Sequence, residues 1–126
     1  MSETPSSSRP LSERLRFLFE YVYPRGREPF TPTEVVDAIR REGGSMTTGH
    51  LSQLMSGKRS NPGLGVLLEL AGFFHVPLDY FADDELSEEI RSDIIAGAAV
   101  RDSGNPGIAA RRYDPYRRYA EWTTGS

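Results

Sequence analysis

The 126-residue sequence has no cysteine, which removes disulfide stapling, thiolate catalysis and cysteine-ligated zinc together. No apolar run approaches the roughly 18 residues of a membrane-spanning helix. The opening MSETPSSSRP carries an acid and no hydrophobic stretch, unlike a secretory signal. A soluble cytoplasmic protein without membrane contact is expected. Histidine is scarce: His50 and His75 stand far apart, with no HExxH motif, glycine-rich phosphate loop or nucleophile–base motif beside them. Gly57-Lys58 lacks the preceding glycine spacing and the following Ser or Thr of a phosphate-binding loop. Catalysis is therefore not expected, and no metal, organic cofactor or small-molecule effector is implied. Asp83-Asp84-Glu85 reads as a solvated helix start rather than a metal site. No strand signal rivals the helical ones, and no internal repeat is present.

Positive charge is also limited overall, since the formal net charge is −3. Its distribution is uneven. Residues 1–62 carry nine cationic against seven acidic side chains, residues 63–100 carry one against eight, and residues 101–126 carry five against three. The acidity is thus concentrated in the middle, and the first part would turn toward a polyanion. Surface charge of this size is shared by many proteins that never meet nucleic acid, so it decides little alone.

What is abundant is helical periodicity. Leu11, Leu15, Leu18 and Val22 make an amphipathic first helix, with Ser12, Glu13, Arg16 and Glu20 between them. Pro24, Gly26 and Pro29 break it. Thr31-Pro32-Thr33-Glu34 is a capping box with proline at the first helical position, and the helix it starts shows Val35, Ala38 and Ile39 on one side before Gly43-Gly44. A short third helix is predicted from Thr47 as N-cap to Gly57 as stop, burying Leu51, Leu54 and Met55. Asn61 is predicted to cap a fourth helix with Pro62 at its first position and Leu67, Leu70, Ala71 and Phe74 on its core side. Val76 to Phe81 predicts a last short helical turn.

The third helix has the makings of a DNA reader, which needs a short helix able to enter a major groove roughly 12 Å wide. With Leu51 at the buried centre, Gly49, Gln53 and Ser56 fall opposite, flanked by Ser52 and His50. Small polar residues permit close approach, and glutamine forms a bidentate pair with adenine N6 and N7. Thr48, Gly49, Ser52, Gln53 and Ser56 are the candidate base readers, Gln53 foremost. Thr47 at the helix N-terminus, Lys58 and Arg59 at its exit, and Asn61 beyond are the candidate phosphate contacts. Singly, each is also an ordinary solvent-facing residue. Their joint spacing carries the reading.

The pattern Val35-Val36, Ile39, Leu51-Ser52-Gln53-Leu54, Gly57-Lys58-Arg59, Pro62, Leu70-Ala71, Phe74 and Val76-Pro77-Leu78-Asp79-Tyr80-Phe81 resembles the Xre, or phage-repressor-like, helix-turn-helix family. The turn before the third helix is longer than in ordinary members. That departure, with VYPRGREPFT, GHLSQLMSGKRSNP and FF-x-V-x-x-x-YF-x-DDE, is similar to the EspR-type actinobacterial nucleoid-associated regulators from about Leu15 to Glu85. The resemblance implies an all-α fold: a five-helix helix-turn-helix domain with an extended turn, plus a C-terminal helical extension. It also implies a homodimer that binds double-stranded DNA in the nucleoid, regulates transcription and, in some members, bridges distant sites.

The expected organisation is a disordered tail over 1–10, the DNA-binding domain over 11–82, a C-terminal helix over 83–102, and a basic, aromatic tail or short helix over 103–126. Leu86, Ile90, Ile94 and Ile95 give that C-terminal helix apolar area after a core that looks complete, so it is the candidate dimerisation element. Folding back onto its own domain is the equal alternative. The rival function is a protein-interaction module, antitoxin-like or adaptor, on a helix-turn-helix scaffold, for which the acidic middle speaks.

Overall fold

Apolar side chains recurring every three to four residues, separated by glycine and proline, produce short helices that must pack on one another. The computed structural model describes residues 9–103. In chain order these are α1 (Leu11–Tyr21), α2 (Pro32–Arg41), α3 (Thr48–Ser56), α4 (Leu64–Phe74), a 3-10 turn (Leu78–Phe81) and α5 (Asp84–Ser103), with no strand among the described residues. Among the described residues the fold is all-α, with five α-helices. The breaker cluster after Ser103 and the aromatic tail predicted beyond it lie outside the described residues.

The start of α2 follows its sequence signal. The Glu34 amide donates to Thr31 Oγ1 at 3.1 Å, and the Thr31 amide donates to Glu34 Oε1 at 2.9 Å, a reciprocal cap over Pro32. Its end is equally specific. Gly43 takes φ +99°, its amide donates to the Arg40 carbonyl, and the Gly44 amide donates to the Ile39 carbonyl, both at 3.0 Å. Gly44 is needed for a different reason: a Cβ there would lie 2.5 Å from Ile39 Cγ2 and 2.8 Å from Glu69 Oε2. The chain then runs to α3 through Met46, which is buried and pins the long turn to the core.

α1 packs against α3, α2 against both α3 and α4, and α5 against the 3-10 turn and α1. Leu15, Leu18, Val35, Ile39, Leu51, Leu54, Leu70 and Phe74 form the shared core. Phe30, Phe73, Phe74 and Phe19 make a run of edge-to-face rings with centroids 5.0–5.1 Å apart, tying the loop after α1 to α4 and back to α1.

Two arginines belong to the interior. Arg14, 3% exposed, donates through Nη1 to the Phe81 carbonyl at 3.0 Å and pairs with Asp84, while the Tyr80 hydroxyl donates back to the Arg14 carbonyl at 2.8 Å. Burial pushes the Tyr80 phenol well above its usual range, so it stays a neutral donor. Arg101 donates to the Tyr21 and Tyr23 carbonyls at 2.7 and 3.0 Å and lies 4.0 Å over the Tyr23 ring. Together they fasten both ends of α5 to the first helix and its exit.

One detail departs from the sequence reading, and a second bears on an alternative left open there. Asn61 does not cap the fourth helix with Pro62 as its first residue: α4 begins at Leu64 with Gly63 as N-cap and no side-chain cap. The Arg59 amide donates back to the Gln53 carbonyl at 3.1 Å, holding the chain at the end of α3, and residues 60–63 are used to cross to α4. The second concerns α5. Ile90 and Ile94 are buried in the core of this same chain, leaving Ile95 as the exposed isoleucine of the helix.

Candidate nucleic-acid interface

α3 is nine residues long and held on one side by Leu51 and Leu54, both fully buried. Thr48, Gly49, Ser52, Gln53 and Ser56 are all exposed, while His50 is intermediate and its Nε2 is buried without a partner among the described residues. The five candidate base readers therefore share the outward side of one helix. A Cβ built on Gly49 would meet nothing within 4 Å, so that position leaves open space rather than filling a cleft.

The helix ends shape what the face can contact. Thr47 Oγ1 accepts from the His50 amide at 3.1 Å, which caps the helix and leaves the hydroxyl proton to donate outward. The amides of Thr48 and Gly49 have no carbonyl four residues back within the helix, the usual basis for anion affinity at such an end. At the other end Gly57 takes φ +87° and turns the chain away.

Lys58, Arg59 and Asn61 are exposed beyond that turn. Arg59 does more than project. Its Nε donates to Gln53 Oε1 at 3.1 Å, which orients the carboxamide and turns its amino group away from the guanidinium. A residue assigned to phosphate and a residue assigned to base are thus one hydrogen-bonded unit. Asn61 lies outside that unit.

The sequence reading missed Arg16. It is exposed on α1, and its Nη1 donates to the Met55 carbonyl at 2.6 Å, placing a third cation at the C-terminal end of α3. Its periodicity marks it as outward-facing on α1, but only the packing of α1 on α3 reveals what it faces. Between Glu42 and Glu69 the sequence has no carboxylate at all, so α3 and both flanking turns are free of acid. The acidic residues of α5 are partly spent on arginines: Asp84 pairs with Arg14, and Glu88 with Arg9 at 2.8 Å. The Glu88 hydrogen bond raises the Arg9 pKa further.

No family model matches the chain. Among characterised proteins, it is 42% identical over 100 residues to the nucleoid-associated protein EspR of Mycobacterium tuberculosis, in strain CDC 1551 / Oshkosh and likewise in strain ATCC 25618 / H37Rv. The match covers 79% of this chain and 76% of the relative. The chain belongs to the EspR family.

Proposed function

We propose that this protein is a sequence-specific DNA-binding transcriptional regulator of the nucleoid, with α2 and α3 as an Xre-like helix-turn-helix unit and α3 as its reader. The observation that carries the reading is the outward side of α3: five small or amide residues, no acid, the open Thr48 and Gly49 amides at one end and Arg16, Lys58 and Arg59 at the other. Such a face admits base edges, and the cations around it suit phosphates, which set position without reading sequence. Membership of a family whose characterised protein is named nucleoid-associated supports the same conclusion. The adaptor reading has no structural observation of its own.

In this reading Gln53 meets adenine, Thr48, Gly49, Ser52 and Ser56 line the approach, and Thr47, Lys58, Arg59 and Asn61 contact the backbone. A nine-residue reader spans few base pairs, so the working species is a homodimer placing two readers on one duplex. Ile90 and Ile94 are committed to the core, which leaves the outer side of α5, with Ile95, as the dimer surface on that helix.

Selection of bound duplexes from a random library, followed by Gln53→Ala, tests the assignment. The substitution is expected to weaken the selected site by about 1–3 kcal/mol more than random duplex. Equal losses on both would remove Gln53 from base reading.

A further inference from the structure

Away from α3, the far end of α2 and the side of α4 enclose an open groove of about 660 Å³. Ala38, Ile39, Gly72 and Phe73 line its floor, Leu68 stands on its wall at 50% exposure, and Glu42 and Glu69 supply negative charge against one cation, Arg41. Glu69 Oε1 is buried and has no hydrogen-bond partner among the described residues, an arrangement that costs free energy unless a donor reaches it.

The groove is the last of three concavities linked by shared lining residues. The first lies at the end of α5, where Arg101 and Asp102 meet Tyr23 and Arg27. Arg27, 4.3 Å over the Phe30 ring, leads into the second, which shares Phe30, Ala38, Arg41 and Phe73 with the main groove. A path thus leads from the point where the chain leaves α5 to the space between α2 and α4.

The sequence that follows α5 matches that path. After Gly104-Asn105-Pro106-Gly107, residues 108–126 place Tyr113, Tyr116, Tyr119 and Trp122 three apart and include four arginines against Asp114 and Glu121. The four-residue spacer can extend on the order of 13 Å. Aromatic rings suit an apolar floor, and an arginine suits the unsatisfied carboxylate oxygen of Glu69.

We propose that residues 108–126 of this same chain occupy the groove between α2 and α4, as a strap that braces the helix supporting α3. This surface is separate from the DNA-facing side of α3 and stands whether or not that side reads DNA.

Trp122 is the sole tryptophan, so its fluorescence in the full-length protein reports the strap directly. Acrylamide quenching and emission maximum are measured over a wide range of protein concentration. The expected result is a shielded, blue-shifted tryptophan whose protection is independent of concentration. Gly72→Gln fills the groove from a position where a Cβ meets nothing within 4 Å, and Leu68→Lys puts a cation on the wall. Each should raise quenching to that of a free indole and red-shift the emission while far-UV dichroism is unchanged. Either variant alone suffices if the other loses helix content. An unshielded Trp122 in the parent protein, or shielding that survives both folded variants, would overturn the proposal. So would shielding lost on dilution, which would put a second copy's tail in the groove.

Discussion

Lys58 and Arg59 are neighbours in sequence with different surroundings, and the difference predicts different mutants. The Arg59 guanidinium holds Gln53 Oε1, whereas the Lys58 amide donates to Ser56 Oγ at 3.4 Å and its ammonium has no such tether among the described residues. Lys58→Ala should weaken selected and random duplexes alike and lower the log–log salt slope by about one unit. Arg59→Ala should lower the slope similarly and also cut the preference for the selected site, because the carboxamide loses its guide. Anisotropy titrations at several salt concentrations on both duplexes separate the two. Identical selectivity in both variants would reduce the Arg59–Gln53 bond to a surface contact. At this scale the candidate contacts were legible from residue type and spacing, but the link between two of them was not, since it depends on the turn at Gly57. Arg14 was also beyond reach of the sequence. A buried arginine looks like any solvated one until the carbonyls of Tyr80 and Phe81 are seen to converge on it.

Among the helices, those with side-chain caps were placed well. The capping box at Thr31, the single side-chain cap at Thr47 and the left-handed glycines at 43 and 57 all fall where local chemistry puts them, because capping is decided by residues three or four apart. The start of α4 was misplaced, because Asn61-Pro62 is a good local signal overridden by the tether from Arg59 to Gln53. The α2 cap also makes a pH prediction. The Thr31 amide, with Arg27 behind it, holds the Glu34 carboxyl below its ordinary value of 4.5. A depressed pKa in the folded state contributes stability fully present above the unfolded value and lost as pH falls through the folded one. Glu34→Gln should therefore lower the melting temperature at neutral pH, and the gap from the parent should close below about pH 4. A gap that is unchanged in acid would place the stabilisation elsewhere than in the carboxylate.

At the scale of the whole molecule, periodicity shows that a helix has an apolar side but not what that side meets. That is why α5 looked equally suited to another copy and to its own domain. Ile90 and Ile94, with the polar fastenings at Arg14 and Arg101, make it part of the core. Burial of an isoleucine is worth about 1.5–3 kcal/mol, against a net stability of about 5–15 kcal/mol for a domain this size. Truncation after Glu85 removes both isoleucines and the Arg101 clamp. The product should show little cooperative thermal transition by circular dichroism rather than persist as a folded monomer. A sharp transition near that of the intact protein would show α5 to be dispensable for folding.

If the outward side of α3 binds duplex DNA, a carboxylate placed there by Ser52→Glu should abolish the binding. Ser52 is exposed at the middle of that face, so the substitution adds a carboxylate without disturbing Leu51 or Leu54. Equilibrium binding to a selected duplex is followed across salt concentration for the parent and the variant, with dichroism confirming equal helix content. The parent should bind with affinity falling steeply and linearly in log–log salt, and Ser52→Glu should lose binding to both selected and random duplex. Parent binding that is weak and indifferent to salt, or a folded Ser52→Glu protein that binds as the parent does, would rule out this face of α3 as a DNA-binding surface.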